Sequence, residues 1–147
     1  DVFAESSFAK QIALAEAGYT KPIIKVGNLK SLRTIADVRD AVRAYFMLLT
    51  INPIGGEYYN IGGTHSLEIG EILDYLISIS SIKSDLKIVV DKSRLRPIDA
   101  DLQVPNTIKF KNHTGWEPEI SFQKTMLDLL NYWREKVEIE GNNFLIR

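Results

Sequence analysis

The chain has 147 residues, a net charge of -1, 45% apolar and 25% charged residues, and no cysteine. That balance suits an ordinary soluble domain and argues against a nucleic-acid or anionic-membrane surface, while the missing cysteines remove disulfides, thiolate chemistry and Cys-ligated zinc. No apolar run reaches the roughly 18–20 residues of a membrane span, there is no signal-peptide pattern, and the expected location is the cytoplasm.

The opening Asp1-Val2-Phe3-Ala4-Glu5 lacks an initiator Met and runs straight into patterned sequence, as in a chain cut from something longer. Ser6 and Ser7 are placed to cap a first helix with Phe8, Ile12 and Ala15 on its face and Gly18 at its end. Pro22-Ile23-Ile24-Lys25-Val26 reads as a strand ending at Gly27-Asn28. A second helix is predicted from about Asp37 to Thr50, where Val38, Val42, Tyr45 and Leu49 recur at helical spacing and Asp37 and Asp40 sit in the first turn. After a turn at Asn52-Pro53 and Gly55-Gly56, residues 57–61 read as a strand stopped by Gly62-Gly63. Ser66 is expected to cap a third helix with Leu67, Ile69, Ile72, Leu73, Leu76 and Ile77 on one face. Leu86-Lys87-Ile88-Val89-Val90 is a buried-looking strand, Thr107–His113 a short helix ending at Gly115, and Ser121 the cap of a long last helix. On that helix Phe122, Met126, Leu129, Leu130, Trp133 and Val137 face inward. The expected fold class is α+β, mostly helices with a few short strands, in one domain over residues 1–140 with a tail over 141–147.

Several motifs are absent. No Gly-x-Gly-x-x-Gly or P-loop occurs, and the paired glycines have the wrong spacing to cradle a dinucleotide. His65 and His113 stand in no metal-ligand pattern, and Asn112-His113-Thr114 matters as a glycosylation acceptor only in a secreted protein. Tyr132 and Lys136 have the spacing of a dehydrogenase pair, but they sit on a C-terminal amphipathic helix with no nucleotide loop upstream.

Two segments carry candidate chemistry. Arg94-Leu95-Arg96-Pro97-Ile98-Asp99-Ala100-Asp101 presents guanidinium groups and carboxylates around a proline that stiffens the loop. Gly27-Asn28-Leu29-Lys30-Ser31-Leu32-Arg33 places Arg33 on a polar turn immediately before a helix N-terminus. Guanidinium groups from two separate loops can clamp the two phosphates of one diphosphate. The plain alternative is a pair of solvated charged loops.

In this order, Ser7-Phe8-Ala9-Lys10-Gln11-Ile12, Val26-Gly27-Asn28-Leu29 with Arg33, the run from Asp37 to Tyr45, Arg96-Pro97 with Asp99, and Thr114-Gly115-Trp116-Glu117-Pro118 leading to Tyr132-Trp133-Arg134 resemble one family. It is the extended short-chain dehydrogenase/reductases, in the GDP-mannose 4,6-dehydratase and GDP-4-keto-6-deoxymannose reductase branch. The resemblance implies the small C-terminal substrate-binding domain of an extended Rossmann-type sugar-nucleotide enzyme. Arg33 and Arg96 would then hold the diphosphate and Asp99 the ribose hydroxyls, while Ser7, Lys10 and Asn28 would border the guanosine end. Asp37 and Arg39 would anchor a helix, and Trp116 would be buried in a structural turn. One departure is Thr34, where many relatives place Asp after the clamp arginine. The resemblance further implies NADP or NAD bound by an N-terminal Rossmann domain lying outside this chain, a homo-oligomeric full-length enzyme, and no catalysis by this part alone. Dehydratase is placed ahead of reductase or another sugar-nucleotide epimerase/dehydratase; the alternative of another class is a free-standing, non-catalytic nucleotide-binding module.

Overall fold

The structure, a computed structural model, describes residues 3–63, 65–95 and 102–141. Its first helix, α1 (Ala4–Glu16), begins before the serines expected to cap it, so Ser7 lies inside the helix with its side chain buried. Helix formers such as Ala4 and Glu5 extend the first turn backwards at little cost. Phe8, Ala9, Ile12 and Ala13 are buried, and the helix ends just before Gly18.

Strand β1 (Ile23–Val26) pairs in parallel with β4 (Lys87–Val90), in the register Ile24↔Ile88 and Val26↔Val90. Ile24 and Val26 are buried, but all four residues of β4 are exposed. The apolar run of β4 is therefore an edge strand rather than the buried strand expected, because β1 is its one pairing neighbour among the described residues.

A second small sheet has β2 (Leu32–Thr34) at its centre, antiparallel to β3 (Ser66–Glu68) and parallel to β5 (Leu102–Gln103). Ser66 is thus a strand residue and not a helix cap. The third helix, α3 (Ile69–Ser78), starts three residues later, where the Glu71 carboxylate accepts the Glu68 backbone N–H at 2.7 Å. The Gly70 N–H also donates to the Leu29 carbonyl at 2.8 Å, which seats this helix start on the loop before β2.

Helix α2 (Val38–Thr50) forms where expected and carries Asp37 as its N-cap, but it is turned the other way. Val38, Val42, Tyr45 and Leu49 are exposed, and Asp40 and Ala44 are buried. Residues 57–61 form no strand; Tyr59 instead packs on Phe110 with ring centroids 5.4 Å apart. A strand needs a neighbour to bond, and none is present among the described residues.

Helix α4 (Ile108–Thr114) and the long α5 (Phe122–Glu140) complete the chain, with the Ser121 hydroxyl accepting the Lys124 N–H at 3.2 Å as expected of a cap. The main core joins α1, α3, α5 and β1 through Ile12, Ile24, Ile72, Leu76, Met126 and Leu130. A smaller one is built from Ala44, Phe110 and Trp116. The α+β class with helices predominating is as the sequence implied.

Candidate functional site

Parallel strands send the loops after them to the same end of a sheet, which is where α/β proteins place ligands. Here β1 and β4 deliver two such loops, starting at Gly27 and at Asp91. They are bound together: the Asp91 N–H donates to the Val26 carbonyl at 2.8 Å. Beyond it Lys92–Arg94 form a single 3₁₀ turn, in which Asp91 Oδ1 accepts the Ser93 N–H at 3.0 Å and the Ser93 hydroxyl at 2.7 Å. These bonds hold the Asp91 carboxyl below the usual carboxylate range, with smaller help from Lys25 and Arg94.

Gly27 sits directly under that turn. A Cβ at this position would stand 2.6 Å from the Arg94 carbonyl oxygen, so only glycine allows the two backbones this close. From above, Arg94 Nη1 donates to Ser7 Oγ at 3.0 Å. Gln11, one helical turn after Ser7, ties the same place to the strand: its Oε1 accepts the Lys25 N–H at 2.8 Å and its Nε2 donates to the Lys25 carbonyl at 3.2 Å. The Gln11 amide also donates to Ser7 Oγ at 3.3 Å.

The Gly27 loop is internally braced. Asn28 Oδ1 accepts the Lys30 N–H at 3.0 Å, and Asn28 Nδ2 donates to the hydroxyl of buried Ser31 at 2.8 Å. The loop delivers Arg33 into the centre of β2, opposite Leu67 of β3 and Gln103 of β5. Arg33 is therefore a half-buried strand residue, with Nη1 on the Leu32 carbonyl at 2.9 Å, and not the residue immediately before a helix. The Ile35–Asp37 segment separates it from α2.

Arg96 and Asp99 lie outside the described residues. Their flanks are placed: Leu95 follows the 3₁₀ turn, and Leu102 pairs with Leu32 beside Arg33. Lys10 lies on α1 with its ammonium 5.5 Å from the centroid of the Trp133 ring. The structure thus brings Ser7, the Arg94 turn and Gly27, where the loop toward Arg33 begins, into contact. Gln11 was not assigned a role from sequence, and Arg94 was read only as part of the charged candidate segment; the signal available for Gln11 was Ser7 and Gln11 one turn apart on a helix, facing a strand that ends in Gly.

Other charged residues are committed elsewhere. Asp37 accepts Arg39 Nε at 2.8 Å and the Thr125 hydroxyl at 2.8 Å, and Arg39 also reaches Asp128 at 2.8 Å. The Arg39 bonds outweigh burial and hold the Asp37 carboxyl well below its usual range. Asp40 receives the backbone N–H groups of Glu119 and Ile120, its own carbonyl accepts Trp116 Nε1 at 3.2 Å, and Trp116 is only 2% exposed. The helix anchor and the structural tryptophan turn are both present. His113 bonds the Tyr59 hydroxyl and the Asn52 carbonyl, so its ring is used in packing. Among the described residues no group of three or more His, Cys, Asp and Glu side chains could hold a metal ion, and no helix is long and apolar enough to cross a membrane.

This is the fold of the C-terminal domain of an extended short-chain dehydrogenase/reductase-type sugar-nucleotide enzyme. The chain belongs to the GDP-mannose 4,6 dehydratase family, whose sequence profile matches residues 1–129. It is 29% identical over 140 residues to the GDP-6-deoxy-D-mannose reductase of Pseudomonas aeruginosa, covering 95% of this chain and 45% of that protein. Among solved structures, RMD from Pseudomonas aeruginosa complexed with NADPH superimposes with a TM-score of 0.83 at 28% identity, covering 93% of this chain and 44% of that one. UDP-glucuronic acid 4-epimerase from Bacillus cereus shares the fold, with a TM-score of 0.72 at 19% identity over 88% of this chain and 40% of that one. The chain spans less than half the length of that reductase.

Proposed function

We propose that this chain forms the GDP-sugar-binding part of an NAD(P)-dependent enzyme that reduces the C4 ketone of a GDP-4-keto-6-deoxyhexose. One observation carries the binding role: the loops after two adjacent parallel strands are tied together, and one of them leads Arg33 to the centre of β2, beside the point where β5 begins. In this reading Arg33 and Arg96 take the diphosphate, Asp99 the ribose hydroxyls, and Lys10 and Asn28 border the guanosine. Ser7 borders it too, through its neighbours more than by direct contact, since its hydroxyl already meets Arg94 and Gln11. A guanidinium fork matches phosphate oxygens two at a time, so each contact is specific as well as strong.

Among the described residues nothing fits the nicotinamide dinucleotide. After β1 the chain turns to another strand through a braced loop, with no glycine-rich turn opening a helix to receive a pyrophosphate. In this reading the dinucleotide and the hydride step belong to an N-terminal Rossmann domain, and this part alone does not catalyse. The apolar stripe of α2 supports that reading, because Val38, Val42, Tyr45, Phe46 and Leu49 form a contiguous exposed face suited to cover by another domain.

Reduction is favoured over dehydration by the similarity to a GDP-6-deoxy-D-mannose reductase along 95% of the chain. The second reading, a GDP-mannose 4,6-dehydratase, rests on the family profile over residues 1–129. Both use the same GDP clamp. The full-length protein supplied with GDP-4-keto-6-deoxymannose and NADPH is expected to consume NADPH, with Arg33→Ala raising KM at least tenfold. Conversion of GDP-mannose without net cofactor consumption would instead establish the dehydratase, and inertness toward both would remove the assignment.

A further inference from the structure

Most described arginines already have acidic partners. Arg39 pairs with Asp37 and Asp128, Arg43 with Asp40 and Glu119, and Arg134 with Glu16. Arg94, exposed like Arg39, forms no ion pair among the described residues, and its guanidinium makes one hydrogen bond there, from Nη1 to Ser7. Asp91, three residues earlier, spends its Oδ1 on Ser93.

The residue is nevertheless well fixed. Its N–H donates to the Asp91 carbonyl at 3.0 Å, its own carbonyl rests against Gly27, and Ser7, only 8% exposed, holds one end of the guanidinium. A side chain pinned at both ends loses little freedom on taking an anion, and its remaining N–H donors form part of the fork that matches phosphate. Lys25 adds a second cation near the turn, and the Asp91 carboxylate offsets only part of the two positive charges.

We propose that Arg94 is a phosphate-binding residue of the same site, contacting the nucleotide diphosphate in addition to Arg33, with Ser7 as the residue that positions it. This rests on the GDP-sugar reading above. A bond that only tied α1 to the turn would need a single neutral donor; the exposed charge at the mouth of two parallel strands is what a diphosphate requires.

The test is calorimetry on the full-length protein with GDP and with guanosine. Arg94→Ala is expected to weaken GDP at least tenfold and leave guanosine within twofold, with Arg94→Lys recovering part of the loss. Ser7→Ala is expected to cost less, and the Ser7→Ala/Arg94→Ala double variant to match Arg94→Ala alone, because Ser7 acts through Arg94. If Arg33→Ala weakens GDP while Arg94→Ala and Arg94→Gln do not, this inference falls and the GDP-sugar reading stands. Equal losses for GDP and guanosine would show a purely structural role and also overturn it. Absence of GDP binding by the unaltered protein would remove both.

Discussion

Helices α2 and α5 have the same kind of amphipathic pattern and opposite fates. On α5, Met126, Leu130, Trp133 and Val137 recur at helical spacing and all are buried against α1 and α3. On α2, Val38, Val42, Tyr45 and Leu49 recur just as regularly and all face solvent, while the opposite side buries Asp40 and Ala44. Periodicity identifies the face that must be covered, but not whether the same stretch of chain supplies the cover. On α5 that cover comes from within, whereas on α2 none of the described residues provides it. The polar side of α2 is held because Asp40 gathers the 119–120 backbone and Trp116.

The contrast can be broken by substitution. Leu130→Ala, at a fully buried position, is expected to cost about 2–5 kcal/mol by thermal or urea unfolding of this chain. Leu49→Ala, at a side chain 74% exposed, is expected to stay within about 0.5 kcal/mol. Comparable losses at both sites would show that the α2 stripe is already covered.

Next in size is Gly63→Ala. A Cβ there would fall 1.6 Å from the Ile35 carbonyl oxygen, so the segment before α2 must shift, at a cost of about 1–3 kcal/mol or more. An unchanged melting temperature would mean that residues 35 and 63 are not packed backbone to backbone.

A further effect concerns acid. Glu16 lies where α1, α5 and the turn after α3 meet; it accepts Arg134 Nε at 2.7 Å, the Ser81 N–H at 2.9 Å and the Ser80 hydroxyl at 2.8 Å. Burial alone would raise its pKa, but these bonds outweigh it and bring the carboxyl down to about 2. A carboxyl with a depressed folded-state pKa stabilises fully above its unfolded value near 4.5 and loses that contribution as pH falls toward 2. Glu16→Gln is therefore expected to cost about 2 kcal/mol at pH 7, with the gap to the unaltered chain closing between pH 5 and 2. A gap independent of pH would show that the carboxylate form contributes nothing.

What could be read from the sequence follows from the range of the interactions. The body of α1, β1, α4 with Gly115, and α5 with its Ser121 cap are set by contacts within a few residues, and their residue types reveal them. The three-residue strands β2 and β3 are defined by pairing across more than thirty positions, so neither has a local signature. The same reason undoes the expected strand at 57–61, which is bounded by glycines as a strand would be but has no neighbour among the described residues. In the site, the two charged segments stand out because Arg and Gly are chemically conspicuous. The supports were hidden: that Ser7 receives Arg94, that Gln11 caps the Lys25 edge of β1, and that Gly27 yields to a carbonyl all depend on the β1–β4 register. Asp37 with Arg39 was readable because an N-cap and its neighbour are local.

In the proposed function the loops leaving β1 and β4 build a binding place for a nucleotide diphosphate, gripped by Arg33. Titrating GDP into the full-length protein and its Arg33→Ala variant measures this most directly. Saturable binding weakened at least tenfold by the substitution is expected, with the fold-change shrinking as salt rises. Equal affinity in the two proteins would contradict it.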